Sequence, residues 1–341
     1  MNSNFSWNNK NVLVTGAAGL LGSWLIEQLI KDKAHVIALL RDTQVSSLFT
    51  LKNLSQKVTI IQGDLCDYQS LVRILNEYDV DTVFHLGAQT LVGYANRSPL
   101  STFHSNIEGT WNLLEACRLS PWVKKIIVAS SDKAYGDQEV LPYTEDTPLQ
   151  GEHPYDVSKS CSDLIAHSYY KTYNLPVCIT RCGNIFGGGD FHYSRIIPGT
   201  IKALFNNEQP IIRSNGLFSR DYIFVKDIVD GYMKLAESMD DSTIWGQAFN
   251  LSEEKPLTVL EVVQLVTLLM NKNNIMPIIQ NSASGEILDQ HLSCKKAQNI
   301  LKWSPRFGFK KGLQETISWY VNYFTTQQFV VGGVKEVSIN R

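Results

Sequence analysis

Asn11-Val-Leu-Val-Thr-Gly-Ala-Ala-Gly-Leu-Leu-Gly22 decides the fold. The apolar run 11–15 reads as a buried strand, and from Leu20 to Lys31 the apolar residues recur at helical spacing. Strand, glycine turn and helix in that order make a dinucleotide-binding unit. Gly16 lets the chain turn tightly, Gly19 lets the backbone approach a pyrophosphate, and Gly22 lets helix and strand pack closely. The phosphates would lie on the helix N-terminus, whose unpaired N–H groups and dipole favour negative charge. Ala18, Leu20 and Leu21 share this turn and count with the glycines as cofactor contacts.

Working outward, strands are expected at 34–40, 58–62, 81–86, 125–129 and 177–180. Helices are expected at 71–78, 106–118 and 154–173. Apolar strands separated by helices predict an α/β fold, a Rossmann-like doubly wound parallel sheet covered on both faces. After about residue 183 the rhythm changes, with Gly187-Gly188-Gly189, shorter elements, and helical patterns at 224–238, 257–270 and 310–324. The sequence thus predicts a dinucleotide-binding domain over 1–183, with a returning segment near 220–250. A smaller C-terminal α+β substrate-binding lobe is expected over 184–325, followed by a tail, 326–341, without a packing pattern.

Asp64 and Leu65 follow the third strand, where the carboxylate can accept from an adenine amino group. Leu86, Gly87 and Ala88 follow the fourth, small enough for a dinucleotide to pass. The position expected to hold an acidic ribose ligand is Leu40. Arg41 would meet a 2′-phosphate and Asp42 a ribose, so the cofactor reads as NAD or NADP with a slight lean to NADP.

Apolar residues make up 44% and charged ones 19% of the 341 residues, and the formal net charge is −2. That near-neutral balance speaks against nucleic acid or a membrane surface as partner. No stretch approaches the ~20 apolar residues of a membrane helix, and the polar N-terminus lacks a signal-peptide layout. The six cysteines are scattered without a CxxC, which suits free thiols in the cytoplasm. The seven histidines show no metal-ligand spacing, and His85 reads as structural.

Tyr155 and Lys159 stand four apart on the helix expected at 154–173, hence on one face. A nearby ammonium, aided by a cationic nicotinamide, would lower the phenol's pKa and prepare it to take a proton from a hydroxyl. With the glycine turn, this spacing makes the chain to about residue 324 resemble the extended short-chain dehydrogenase/reductase family of sugar-nucleotide enzymes. Further marks are Asn106, Ser130-Ser131, Arg181-Cys182-Gly183-Asn184 and Arg220-Asp221-Tyr222. The resemblance implies that Asn106 belongs to the cofactor site, and that Ser131 binds the sugar's 4-hydroxyl and Tyr155 oxidises it. It also implies that Lys159 holds the nicotinamide ribose, that Gln89 and Asn184 contact the substrate, and that Arg220 binds a phosphate or the nucleotide. Arg195 would reach a pyrophosphate bidentately or form a surface salt bridge. Helices 106–118 and 154–173 resemble those that form a homodimer interface in this family.

The segment Ser130-Ser-Asp-Lys-Ala-Tyr135 selects the reaction. An acid–base pair after the serine resembles the 4,6-dehydratases, and Ser-Asp-Lys the CDP-glucose 4,6-dehydratase branch. Phe84-His-Leu-Gly-Ala-Gln89, Gly187-Gly-Gly-Asp190 and Trp303-Ser-Pro-Arg306 agree with that branch, whereas Arg220-Asp221-Tyr222 follows the general family pattern. Oxidation at C4 acidifies the C5 proton, which lets the 6-hydroxyl leave as water. Asp132, kept protonated by burial, would be the acid. Lys133 would be the base, its pKa lowered by Lys159 and the nicotinamide, or else a charged orienting group. In a 4-epimerase, the alternative, both would be bystanders.

Overall fold

The computed structural model describes residues 5–42, 47–282 and 287–336; the sequence segments 1–4 and 337–341 lie outside the described residues. Six strands come in the order the sequence predicts: β1 (Asn11–Thr15), β2 (His35–Leu40), β3 (Thr59–Gln62), β4 (Thr82–His85), β5 (Lys125–Ala129) and β6 (Val177–Cys182). A seventh, β7 (Ala248–Leu251), joins the edge beside β6. The sheet order is β7-β6-β5-β4-β1-β2-β3, all parallel. Strand order reverses at β1, so the crevice between the carboxyl ends of β1 and β4 is where such sheets take a ligand.

Alternation along the strands builds the core. Val12 and Val14 pack with Phe84 and Ile127 on one face, while Leu13 packs with Ile37, Val83 and Ile126 on the other. The first face is covered by α1 (Leu20–Lys31) and by α6 (Val225–Ser238); the second by α2 (Tyr68–Glu77), α3 (Gly109–Leu119) and α4 (Pro154–Tyr173). Helix α2 starts three residues earlier than its apolar pattern, because the Asp67 carboxylate accepts from Ser70 N at 3.1 Å and caps it. The smaller lobe has its own core of Phe186, Ile201, Phe224, Val262, Leu313 and Tyr320. These residues bring together α5 (Ile196–Phe205), α7 (Val259–Leu269) and α8 (Gly308–Glu336). Helix α8 continues to Glu336, past the boundary expected at 325.

Candidate active site

The glycine turn is held in place by contacts that admit no side chain. Gly16 has φ +67°, and a Cβ there would lie 2.8 Å from Gly87 N and Leu86 O. At Gly22 a Cβ would lie 2.3 Å from Gly16 O, so helix and turn touch through bare backbone. Gly19 is less crowded, its Cβ position falling 3.2 Å from Gly16 O. The cleft above is lined by Gly16, Ala18, Gly19, Arg41, Asp42, Asp64, Leu65, Gly87, Ala88 and Gln89, all expected from sequence. Leu20 and Leu21 turn away, packing with the small-lobe core, and Leu86 packs on the first face of the sheet. Arg41 and Asp42 pair with each other at 2.8 Å at the exposed edge of the cleft. Asp64 Oδ1 accepts from Cys66 N at 2.9 Å, which fixes the carboxylate in the turn after β3.

Sequence reasoning missed the hub beneath this cleft. Thr15 Oγ1 accepts from Leu86 N at 3.1 Å and Gly87 N at 2.9 Å, tying the two strand ends together. With both acceptor sites used, its proton goes to His85 Nδ1 at 2.9 Å. The other ring nitrogen then donates to Thr110 Oγ1 at 2.9 Å, and Thr110 donates to the Asn106 carbonyl at 2.6 Å. This pattern requires a neutral imidazole, and burial pushes His85 down to about 3. His85 is structural, as expected, but what it orients is the cofactor turn. Asn106 sits in a π-helical turn, His104–Glu108, and clamps Gln89. Its Oδ1 accepts from Gln89 N at 2.7 Å, and its Nδ2 donates to Gln89 O at 3.1 Å and to Ser158 Oγ at 2.9 Å.

The residues expected to do chemistry converge. Ser131 caps a short helical turn, Asp132–Tyr135, accepting from Lys133 N at 3.2 Å and donating to Asp132 Oδ1 at 2.9 Å. Tyr155, on the first turn of α4, lies beside Ser131. Burial pushes the phenol up to about 12, opposed by the neighbouring Ser131 hydroxyl and by the charge of Arg195. Lys159 Nζ donates to the Ala129 carbonyl at 2.7 Å. Burial takes Lys159 itself down to about 8. Asp132 is 2% exposed, and burial raises its pKa against the opposing charges of Lys133 and Arg220 and the Ser131 hydrogen bond. Lys133 lies within electrostatic range of Asp132 and Asp156.

The turn is anchored from below. Arg181 pairs with Asp163 at 2.7 and 2.9 Å and donates to Tyr135 Oη at 2.9 Å; Tyr135 in turn donates to Asn250 Oδ1 at 2.7 Å. One buried network thus joins α4, β6, β7 and the catalytic turn. On the small-lobe side, Asn184 donates its backbone N–H to Asp221 O at 2.8 Å. Arg195 pairs with Asp190 at 2.8 Å and reaches Thr90 Oγ1 at 3.1 Å. Arg220 is buried and donates to the carbonyls of Ser219, Ile287 and Leu288. Among the described residues no group of three or more His, Cys, Asp or Glu could hold a metal ion.

A Rossmann sheet with a glycine turn at its switch point and a Ser–Tyr–Lys constellation beside it defines a short-chain dehydrogenase/reductase of the epimerase/dehydratase kind. Residues 13–316 match the family described as GDP-mannose 4,6 dehydratase, and the chain belongs to that family. Among curated relatives, the CDP-glucose 4,6-dehydratase of Salmonella typhimurium is 29% identical over 346 residues, covering 97% of this chain and 96% of that protein. The NAD-bound dTDP-glucose 4,6-dehydratase of Bacillus anthracis is 27% identical with a TM-score of 0.80, covering 91% of this chain and 96% of that one. The UDP-glucose 4-epimerase of Thermotoga maritima is 25% identical with a TM-score of 0.84, covering 92% and 99%.

Proposed function

We propose that this protein converts a nucleoside-diphosphate hexose to its 4-keto-6-deoxy derivative with loss of water. The reaction belongs to a sugar-nucleotide 4,6-dehydratase, a hydro-lyase. The observation that carries this reading is the buried Asp132, hydrogen-bonded by Ser131 at 2.9 Å and close to the Tyr155 phenol, so that an acid and a hydroxyl-activating phenol meet at one point. NAD or NADP would lie along the cleft from Arg41 to Gln89, its pyrophosphate over Gly16 and Gly19, where added Cβ atoms would clash or crowd. When bound it supplies the hydride acceptor for C4 and the hydride donor for C6. Tyr155 takes the proton of the 4-hydroxyl, which Ser131 orients. Asp132, biased by burial toward its acid form, gives a proton to the departing 6-hydroxyl. Lys133 takes and returns the C5 proton. Gln89 and Asn184 contact the sugar and its phosphates, while Arg195 and Arg220 supply positive charge on the small-lobe side. Incubation with CDP-, GDP-, UDP- and dTDP-hexoses should give a product 18 mass units lighter from at least one. An isomer of unchanged mass would instead establish a 4-epimerase, the activity named for the structurally similar Thermotoga maritima enzyme.

Leu100, Trp111 and Leu164, on or next to α3 and α4, are 67%, 43% and 56% exposed. Apolar side chains so placed support a homodimer closed through these helices. Sedimentation at micromolar concentration should give the dimer mass, and Trp111→Glu with Leu164→Glu should halve it. The free thiols of all six cysteines suit the cytoplasm.

A further inference from the structure

Gly87, Ala88 and Gln89 line the cofactor cleft, and the chain from 86 to 89 is pinned at both ends. At one end Leu86 N and Gly87 N donate to Thr15 Oγ1 at 3.1 and 2.9 Å. At the other, Gln89 gives its N–H to Asn106 Oδ1 at 2.7 Å and accepts from Asn106 Nδ2 at 3.1 Å. The two pins are themselves joined behind the segment. Thr15 donates to His85 Nδ1 and His85 Nε2 to Thr110 Oγ1, each at 2.9 Å, and Thr110 donates to the Asn106 carbonyl at 2.6 Å. Thr15, His85, Thr110 and Asn106 are at most 3% exposed. The polarity of this chain is fixed, because Thr15, His85 and Thr110 each give their single proton forward; turning one round would set donor against donor. Asn106 makes a further bond, from Nδ2 to Ser158 Oγ at 2.9 Å, and Ser158 donates to the Tyr155 carbonyl at 2.7 Å. The cofactor cradle and the turn of α4 that carries Tyr155 thus share one buried, hydrogen-bonded frame.

We propose that His85 and Thr110 are positioning residues for hydride transfer, holding the cradle at 86–89 in register with Tyr155. This role rests on the reading that a bound nicotinamide oxidises C4 of a sugar, a step that a dehydratase and a 4-epimerase share. Both side chains are buried, and neither lines the cleft, so they act through Thr15 and Asn106. Hydride passes between two carbons held ~3–3.5 Å apart, and a misplacement of about 1 Å can cost ~100-fold in rate. Gly87, Ala88 and Gln89 stand on the cofactor side of that gap and Tyr155 on the sugar side. The Asn106 clamp joins the two sides, and the His85–Thr110 chain sets where the clamp stands relative to the glycine turn. A neutral imidazole suits this place, since it carries an acceptor and a donor on different edges of one rigid ring. It therefore spans from the end of β1 to the first turn of α3 without a flexible link.

Thr110→Val keeps the shape of the side chain and removes the hydroxyl in the middle of the chain, while Ser162 Oγ still donates to the Asn106 carbonyl at 2.7 Å. Hydrogen exchange at the Gln89 amide, followed in the whole protein, should quicken by about tenfold as the Asn106 clamp loosens, with β1 and β4 as protected as before. The second measurement uses whichever of CDP-, GDP-, UDP- and dTDP-hexoses the wild type converts. There kcat should fall about tenfold with KM within about twofold, and deuterium at C4 should slow the variant more than the wild type, because hydride transfer has become the slow step. Thr110→Ser retains the hydroxyl and should match the wild type in both measurements. Thr110→Ala carries the same test if Thr110→Val folds poorly. A lower melting temperature with Gln89 exchange and the C4 isotope effect unchanged means a purely structural role and overturns the proposal. Faster exchange without slower hydride transfer overturns it too, as does an equal loss in Thr110→Ser, which would assign the effect to the methyl group. A wild type that converts none of these sugars overturns the reading of the reaction, and the role in hydride transfer with it.

Discussion

The Arg41 guanidinium is held 2.8 Å from the carboxylate of its own neighbour, Asp42, and both side chains are more than half exposed. The two candidates for reading the adenosine ribose therefore hold each other. An exposed pair of this kind is worth at most ~1 kcal/mol, so a 2′-phosphate can draw Arg41 away at small cost. The phosphate would then stand beside the Asp42 charge. Asp42→Ala should accordingly raise the preference for NADP(H) over NAD(H) about fivefold, the equivalent of ~1 kcal/mol. Titration of both cofactors against wild type and variant gives the ratio. An unchanged ratio would remove Asp42 from cofactor selection.

His85 makes the cofactor turn sensitive to acid. Its folded pKa is about 3 against an ordinary 6.5. Between those values the unfolded chain binds a proton that the folded one refuses. Stability from this group is thus present above pH ~6.5 and is lost as pH falls toward ~3, by at most ~1.4 kcal/mol per pH unit. His85→Gln should be less stable than wild type near neutrality, and the gap should narrow on acidification. Denaturation curves that stay parallel across this window would contradict a neutral, buried His85.

The Arg181–Asp163 pair should be a large single contributor to the rigidity of the catalytic turn. Their side chains are 7% and 2% exposed. Asp163→Ala leaves a buried guanidinium without its counter-charge, which costs ~3–5 kcal/mol. Replacing both partners, by Arg181→Met with Asp163→Leu, should cost less than the single change, since no orphaned charge remains. Urea unfolding distinguishes the two, and a double variant weaker than Asp163→Ala would refute this account.

What was legible in the sequence was what has local periodicity or a fixed spacing. The strands, Gly16 and Gly22, and the i,i+4 relation of Tyr155 and Lys159 all depend on neighbours close in the chain. The Thr15 hub was not legible, because its partners at 85, 86 and 87 are some 70 residues away and a threonine ending a strand carries no mark. Neither was the pairing of Ser219–Arg220 with Asp289–Gln290, because two-residue strands are too short to show alternation. The anchoring of Lys159 was hidden for a related reason: spacing places it on the helix face of Tyr155, but its bond to the Ala129 carbonyl at the end of β5 spans 30 residues.

The last prediction concerns the reaction itself. Asp132→Asn preserves shape and still accepts a hydrogen bond from Ser131, so the turn should fold unchanged. It cannot give a proton to the 6-hydroxyl. Oxidation at C4 depends on Ser131, Tyr155 and Lys159, none of which is altered, and should proceed. The variant should therefore stall after the first hydride transfer, showing the absorbance of reduced nicotinamide, while water loss slows ~100-fold. Burial favours the acid form of Asp132, so wild-type water loss should also fade as rising pH ionises it, whereas the residual rate of the variant should not follow that titration. A 4-epimerase returns hydride to C4 and has no departing hydroxyl to protonate. Turnover undiminished in Asp132→Asn, with a product of unchanged mass, would assign the protein to that reaction instead.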